Sequence, residues 1–204
     1  MDISLFIAIS LFAFVMSVTP GPNNVMLLAS GAQFGYRKTL PHIFGIIIGV
    51  ALLLLSILLG LGFIFELFPT LNDVLKVLGS AYLFWLAWKI ATASTQLGSK
   101  ETLNTAITAQ PQTIFQVALF QFVNPKAWAM AIGSISSFTL SGEKYIESGL
   151  SIMLCFAVMG FIAISLWTYL GVAIARVLTT YKRQKLFNYT MASMTVATLF
   201  FILR

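Results

Sequence analysis

Charge is what this sequence has least of. Only 9% of its 204 residues are charged, against 59% hydrophobic ones, and its mean hydropathy is +0.94. A soluble domain carries roughly a quarter of its residues charged, so this composition excludes that class and leaves an integral membrane protein with the lipid bilayer as its solvent. A single cysteine, Cys155, excludes an internal disulfide, a CxxC redox pair and a cysteine-based zinc site, and its apolar setting reads as a small buried hydrophobe. No GxxxxGK[ST] loop is present, which excludes ATP hydrolysis by that route. The apolar stretches hold no His/Asp/Glu/Cys group from which to build a reactive centre, so the chain reads as a non-enzyme with no metal and no cofactor. Met1-Asp2-Ile3-Ser4 has no Lys or Arg ahead of the first apolar run, so it lacks the basic start of a secretory signal and that run is read as retained. The net charge of +6 comes from basic residues flanking apolar runs, where they set topology, and no nucleic-acid partner is implied by it.

What the chain does have is apolar length. Stretches of about 20 residues between polar punctuation predict six spans: about 4–34, 40–65, 74–91, 113–138, 149–177 and 186–203. Gly35-Tyr36-Arg37-Lys38 closes the first, and His42 falls at the start of the second, where it reads as interfacial. Gly45 and Gly49 form a GxxxG pair suited to close helix contact, either within one protomer or between the two copies of a homodimer. Trp88-Lys89 reads as an interfacial anchor, and Tyr82, Trp85 and Trp88 as packing and belt residues. Ser30, Ser134, Ser165 and Thr168 read singly as helix-packing residues.

The polar stretch 92–112 is the longest loop and the natural midpoint of one transmembrane domain, 1–204, with halves 1–91 and 113–204. After spans one, three and five lie Arg37, Lys38, Lys89, Lys100, Arg176, Lys182, Arg183 and Lys185; the other side has only Lys76, Lys144 and Arg204. By the positive-inside rule the first set is cytoplasmic and both termini face outward. Three spans per half means that the second half enters from the side opposite the first. The expected fold is therefore an all-α membrane protein, six transmembrane helices in a 3+3 inverted repeat, with the first helix of each half broken near the midplane.

The breaks are Thr19-Pro20-Gly21-Pro22-Asn23-Asn24 and Asn124-Pro125-Lys126. Each proline lacks an N–H and collides with the carbonyl four residues back, so the carbonyls of Met16, Val18 and Gln121 are expected to lose their helical partners. Irregular backbone at membrane depth is tolerated only where it is buried in protein or lines a polar cavity, so these segments predict a site. Asparagine is a preferred N-cap and proline a preferred first helical residue, so half-helices are expected to start at Gly21-Pro22-Asn23 and Asn124-Pro125-Lys126 and to offer N–H groups to an anion. Released carbonyls suit an ammonium, and Asn23, Asn24 and Asn124 supply both donors and acceptors. Donor and acceptor ends in one small cavity suit a zwitterion such as an amino acid. Lys126 is the only charged residue placed deep within a span and has no carboxylate partner there, so it is expected to bind a substrate carboxylate, release its proton, or reach a water-filled cavity. The predicted substrate-binding set is Pro20, Gly21, Pro22, Asn23, Asn24, Gln121, Asn124, Pro125 and Lys126, with Lys126 also a candidate for proton coupling.

Three motifs carry a family resemblance: Thr19 to Asn24 with the Gly-Tyr-Arg-Lys turn after it, Gly79-Ser80-Ala81-Tyr82-Leu83-Phe84-Trp85-Leu86-Ala87-Trp88-Lys89, and Phe122-Val123-Asn124-Pro125-Lys126-Ala127. In this order the chain resembles the lysine-exporter / homoserine-threonine-resistance superfamily of bacterial amino-acid efflux proteins. The likeness covers nearly the whole chain, and residues 85–92 and 119–124 are most similar to the cysteine/O-acetylserine branch. The resemblance implies a multi-pass inner-membrane exporter driven by the proton motive force, with binding roles for the proline-glycine-proline-asparagine and asparagine-proline-lysine motifs. A lysine or arginine exporter would be expected to offer a carboxylate to the second cation, and none lies deep in a span, so small neutral amino acids are the expected substrates. The alternatives are a permease subunit of an ATP-driven transporter, for which 92–112 is the only coupling segment, and a channel for small polar solutes.

Overall fold

A computed structural model describes residues 2–61, 70–92 and 111–202, and the regular structure among them is entirely helical. Most of the predicted 92–112 loop, the far end of the second span and the last two residues lie outside the described residues. In chain order the helices are α1 (Ile3–Val18), α2 (Pro22–Phe34), α3 (Tyr36–Ser56, continuing through a π turn, Ile57–Leu61), α4 (Thr70–Ala91), α5 (Ile114–Gln121), α6 (Pro125–Phe138), α7 (Tyr145–Ala175) and α8 (Tyr181–Ile202).

Proline and glycine set the boundaries. α1 stops before Thr19-Pro20, because the residue preceding a proline is pushed out of the helical region and the proline itself has no N–H to give. Pro22 opens α2 as its first residue, and the two helices bend by 62°. A single residue, Gly35, then reverses the chain between α2 and α3; its φ of +79° lies in the region that glycine enters at least cost. The second span therefore begins at Tyr36 rather than near Leu40, with Pro41 accommodated inside its second turn.

Two helical segments among the described residues are long and apolar enough to cross a membrane, Tyr36–Gly60 and Gly142–Ala175, and the bent α1–α2 pair makes a third if counted as one span. α5 with 8 residues and α6 with 14 each fall short of the roughly 20 that a crossing needs, so they would span only as a pair.

α7 is the central helix, packed on α1, α2 and α3, while α4 pairs with α8. Close approach is made by missing side chains. A Cβ on Gly31 of α2 would strike the Thr168 backbone of α7, and one on Gly171 of α7 would strike the Leu28 backbone of α2. Gly45 and Gly49 serve the same end on α3: added Cβ atoms would sit 2.7 Å from the carbonyls of Ile114 and Ala118 on α5. The GxxxG pair thus serves helix packing within the protomer. Ile9, Leu27, Ile43, Leu53 and Ile152 are fully buried among these helices, whereas Leu11, Leu52 and Leu154 point outward with the rest of an apolar exterior. On α4, Trp85 and Trp88 lie on that exterior and Lys89 stands over the Trp85 ring at 5.1 Å.

Candidate functional site

The end of α1 is where backbone hydrogen bonds run out, and side chains replace them one by one. Thr19 turns its hydroxyl back onto the carbonyls of Val15 (3.0 Å) and Met16 (2.9 Å). Asn24, buried at the start of α2, donates to the carbonyls of Ser17 (3.0 Å) and Thr19 (2.6 Å). The Trp167 indole N–H of α7 donates to the Val18 carbonyl at 2.9 Å. Met16 and Val18 carbonyls do lose helical partners, but Thr19 and Trp167 have already claimed them. The two acceptors at the tip, the carbonyls of Thr19 and Pro20, face Lys126.

The break between α5 and α6 is closed differently. Phe122, Val123 and Asn124 continue as a turn, their N–H groups bonding the carbonyls of Leu119, Phe120 and Gln121 at 3.1 to 3.3 Å. The Gln121 carbonyl is therefore not released, contrary to the expectation from Pro125; only the side chain of Gln121 takes part in the site. Asn124 caps α6 by accepting from the Lys126 N–H (3.1 Å), and its own carbonyl accepts from Ala127 and Trp128. These first N–H groups of α6 are thus already satisfied and hold nothing free for an anion, which corrects the second of the two expected anion-binding helix starts.

The two breaks are in contact. Lys126 Nζ donates to the Thr19 carbonyl at 2.5 Å and lies 3.3 Å from Thr19 Oγ1 and 3.4 Å from the Pro20 carbonyl. Asn23 and Gln121 exchange amide bonds in both directions, Nδ2 to Oε1 at 2.9 Å and Nε2 to Oδ1 at 3.2 Å. Asn124 adds a longer contact to Gln121 Oε1 at 3.4 Å. Residues separated by 98 to 107 positions are thereby joined into one polar junction.

Against this junction lies a small, partly open cleft. Its polar side is Ser17, Gly21, Asn23, Asn24, Asn124 and Lys126; its apolar side is Ile46, Ile47 and Val50 of α3 and Phe156, Gly160 and Ile164 of α7, with Met16 and Met130 between. No carboxylate is among the described lining residues. Of the predicted set, Gly21, Asn23, Asn24, Asn124 and Lys126 line the cleft. Pro20, Pro22, Gln121 and Pro125 stand behind the lining: the prolines shape the breaks, and fully buried Gln121 holds Asn23 in place. Sequence reasoning missed the apolar wall and Trp167. The four-residue spacing of Phe156, Gly160 and Ile164 places them on one face of a helix, but only the packing shows which face the cleft takes.

Two expectations outside the cleft also change or resolve. His42, expected at the interface, is buried within the protein to 1% exposure, and neither ring nitrogen has a hydrogen-bond partner among the described residues. Ser30 pairs with Thr39, Ser165 with the Tyr36 hydroxyl, and Ser134 and Thr168 bond back to their own helices, so these four serve packing. No group of His, Cys, Asp and Glu among the described residues is placed to hold a metal ion.

Interrupted apolar helices closed around a polar cleft are the build of a membrane translocator. The chain belongs to the LysE-type translocator family, whose profile, described as "LysE type translocator", matches residues 14–203. It is 27% identical over 174 residues to proteins of Escherichia coli (strain K12) and Shigella sonnei (strain Ss046) named cysteine/O-acetylserine efflux protein, with 85% of each chain covered. No solved structure matches it.

Proposed function

We propose that this protein is a secondary transporter that exports small neutral amino acids, of the cysteine/O-acetylserine or homoserine/threonine kind, from the cytoplasm across the bacterial inner membrane by proton antiport. The observation that carries this reading is the junction of the two breaks. A lysine ammonium and asparagine amides line one cleft whose described lining has no carboxylate, and the lysine reaches from it to the carbonyls of Thr19 and Pro20. Such a cleft holds partners for the carboxylate and the ammonium of one zwitterion and nothing for a second cation, which favours neutral over basic amino acids. Its apolar wall of Ile46, Val50, Phe156 and Ile164 suits a short uncharged side chain. The names of the relatives support the same substrate class.

The contact between residues near 20 and residues near 125, each at a helix break, supports a six-span reading in which α1–α2 and α5–α6 are the first spans of two inverted halves. Both termini then face outward, as the distribution of basic residues requires. Proton coupling falls to Lys126, the cation of the cleft and the group there whose charge a proton can change.

Purified protein in vesicles without ATP tests the reading. Saturable transport of cysteine, O-acetylserine, homoserine or threonine is expected, with little of lysine, accelerated by an imposed pH gradient and lost in Asn24→Ala and Lys126→Ala. A dependence on ATP would point to the permease-subunit alternative, flux that never saturates to a channel, and Lys126→Gln with unchanged pH-gradient coupling would remove the proton role.

A further inference from the structure

The lysine of the cleft does not stand in the open awaiting a carboxylate. Its Nζ is seated on the carbonyl end of α1, with the Thr19 carbonyl, Thr19 Oγ1 and the Pro20 carbonyl around it. That is the chemistry of a cation site: an ammonium has three donors and no acceptor, and the C-terminal end of a helix is its negative end. These are also the acceptors that the ammonium of an amino acid would need.

Gly21 provides an independent observation. Its φ of −177° is extended backbone that any residue adopts, so conformation does not call for glycine there. Space does. A Cβ on Gly21 would lie 2.7 Å from Lys126 Cδ, 3.1 Å from Nζ and 3.4 Å from Cε, so the missing side chain is what lets the lysine stem reach the carbonyls. A third feature makes departure of the lysine tolerable. The Thr19 carbonyl also accepts from Asn24 at 2.6 Å, and so keeps a partner when Nζ leaves.

We propose that the Lys126 ammonium is a tethered stand-in for the substrate's own ammonium, and that substrate loads by exchange. The incoming ammonium takes the carbonyls of Thr19 and Pro20, and the displaced Lys126 swings on its four-carbon stem to the carboxylate of the same molecule. The inference rests on the amino-acid reading of the cleft and deepens it. Selectivity for zwitterions is a direct consequence. An amine without a carboxylate must evict Lys126 with nothing to receive it, and an acid without an amine draws Lys126 away and leaves the Pro20 carbonyl unmet. Neither half of the exchange proceeds alone.

The test uses full-length protein in lipid nanodiscs and calorimetric binding of three zwitterions, L-cysteine, O-acetyl-L-serine and L-threonine, and two amines that lack the carboxylate, L-cysteinamide and L-threoninamide. Wild type is expected to bind at least one zwitterion and to bind the amides at least tenfold more weakly. In Lys126→Met the amides gain at least tenfold over wild type while the zwitterions lose affinity. Gly21→Ala reaches the same point with the charge kept. The three atoms nearest its Cβ all belong to the movable end of the Lys126 side chain, so the variant is expected to fold, push Nζ off the carbonyls, and gain affinity for the amides. A gain in either folded variant supports the exchange. If wild type binds zwitterions but the amides bind no better in either variant, the exchange is overturned and the amino-acid reading stands. If wild type binds none of the zwitterions, the amino-acid reading fails and takes the exchange with it.

Discussion

Between α1 and α2 five consecutive carbonyls, from Met16 to Pro20, are met by side chains, those of Thr19, Asn24, Lys126 and Trp167. Between α5 and α6 the carbonyls of Leu119, Phe120 and Gln121 are met locally, by the N–H groups of the next three residues along the turn, and Asn124 caps α6. The first break cannot close on itself because two of its residues are prolines, which have no N–H to return. The second has one proline, and it comes after the turn is complete. The consequence is a division of labour. The second break is self-sufficient and has a lysine and a glutamine to lend; the first is short of donors and becomes an acceptor site. A polar cleft forms where the deficit of one meets the surplus of the other.

If this contrast is right, damage at the first break should be worse than equivalent damage at the second. The largest effect is expected for Asn24→Ala, which removes donors from two carbonyls, that of buried Ser17 and that of Thr19. At about 1 to 3 kcal/mol for an unsatisfied group, less what Lys126 retains on Thr19, a loss of about 2 to 3 kcal/mol should appear in thermal unfolding in detergent. Trp167→Phe keeps an aromatic ring and deletes one donor, that of the Val18 carbonyl, so about 1 to 2 kcal/mol is expected by the same measurement. Asn124→Ala removes an N-cap whose neighbours are otherwise paired and should cost about 1 kcal/mol, less than Asn24→Ala. An Asn124→Ala loss equal to or above that of Asn24→Ala would break the comparison. The smallest effect belongs away from both breaks: His42 is buried with two unpartnered nitrogens among the described residues, so His42→Phe should leave stability unchanged or raise it. A marked fall in its unfolding temperature would mean that the imidazole has a partner beyond the described residues.

Much of the cleft was legible in the residue order because proline leaves so narrow a choice. A helix cannot run through Pro20 and Pro22, and Asn124-Pro125 is a helix start in sequence as it is in space. The failures have a common cause. Counting hydrogen bonds along one chain shows which groups are released, not which distant groups collect them. The Val18 carbonyl and the Trp167 indole are 149 positions apart. In the same way, the expectation that Gln121 would offer its carbonyl leaves out the tight turn that reclaims it, and the nearness of His42 to Arg37 and Lys38 along the chain says nothing of the side chains that pack on it.

Composition and the positions of proline, glycine and asparagine were enough to decide that the chain is helical, apolar on its outside and interrupted at residues near 20 and near 124, since those are consequences of backbone geometry and solvent. Which interruption accepts and which donates, and where the lysine ammonium rests, was decided only when α1, α6 and α7 came together. Those contacts join groups roughly a hundred or more residues apart, and no local propensity encodes them.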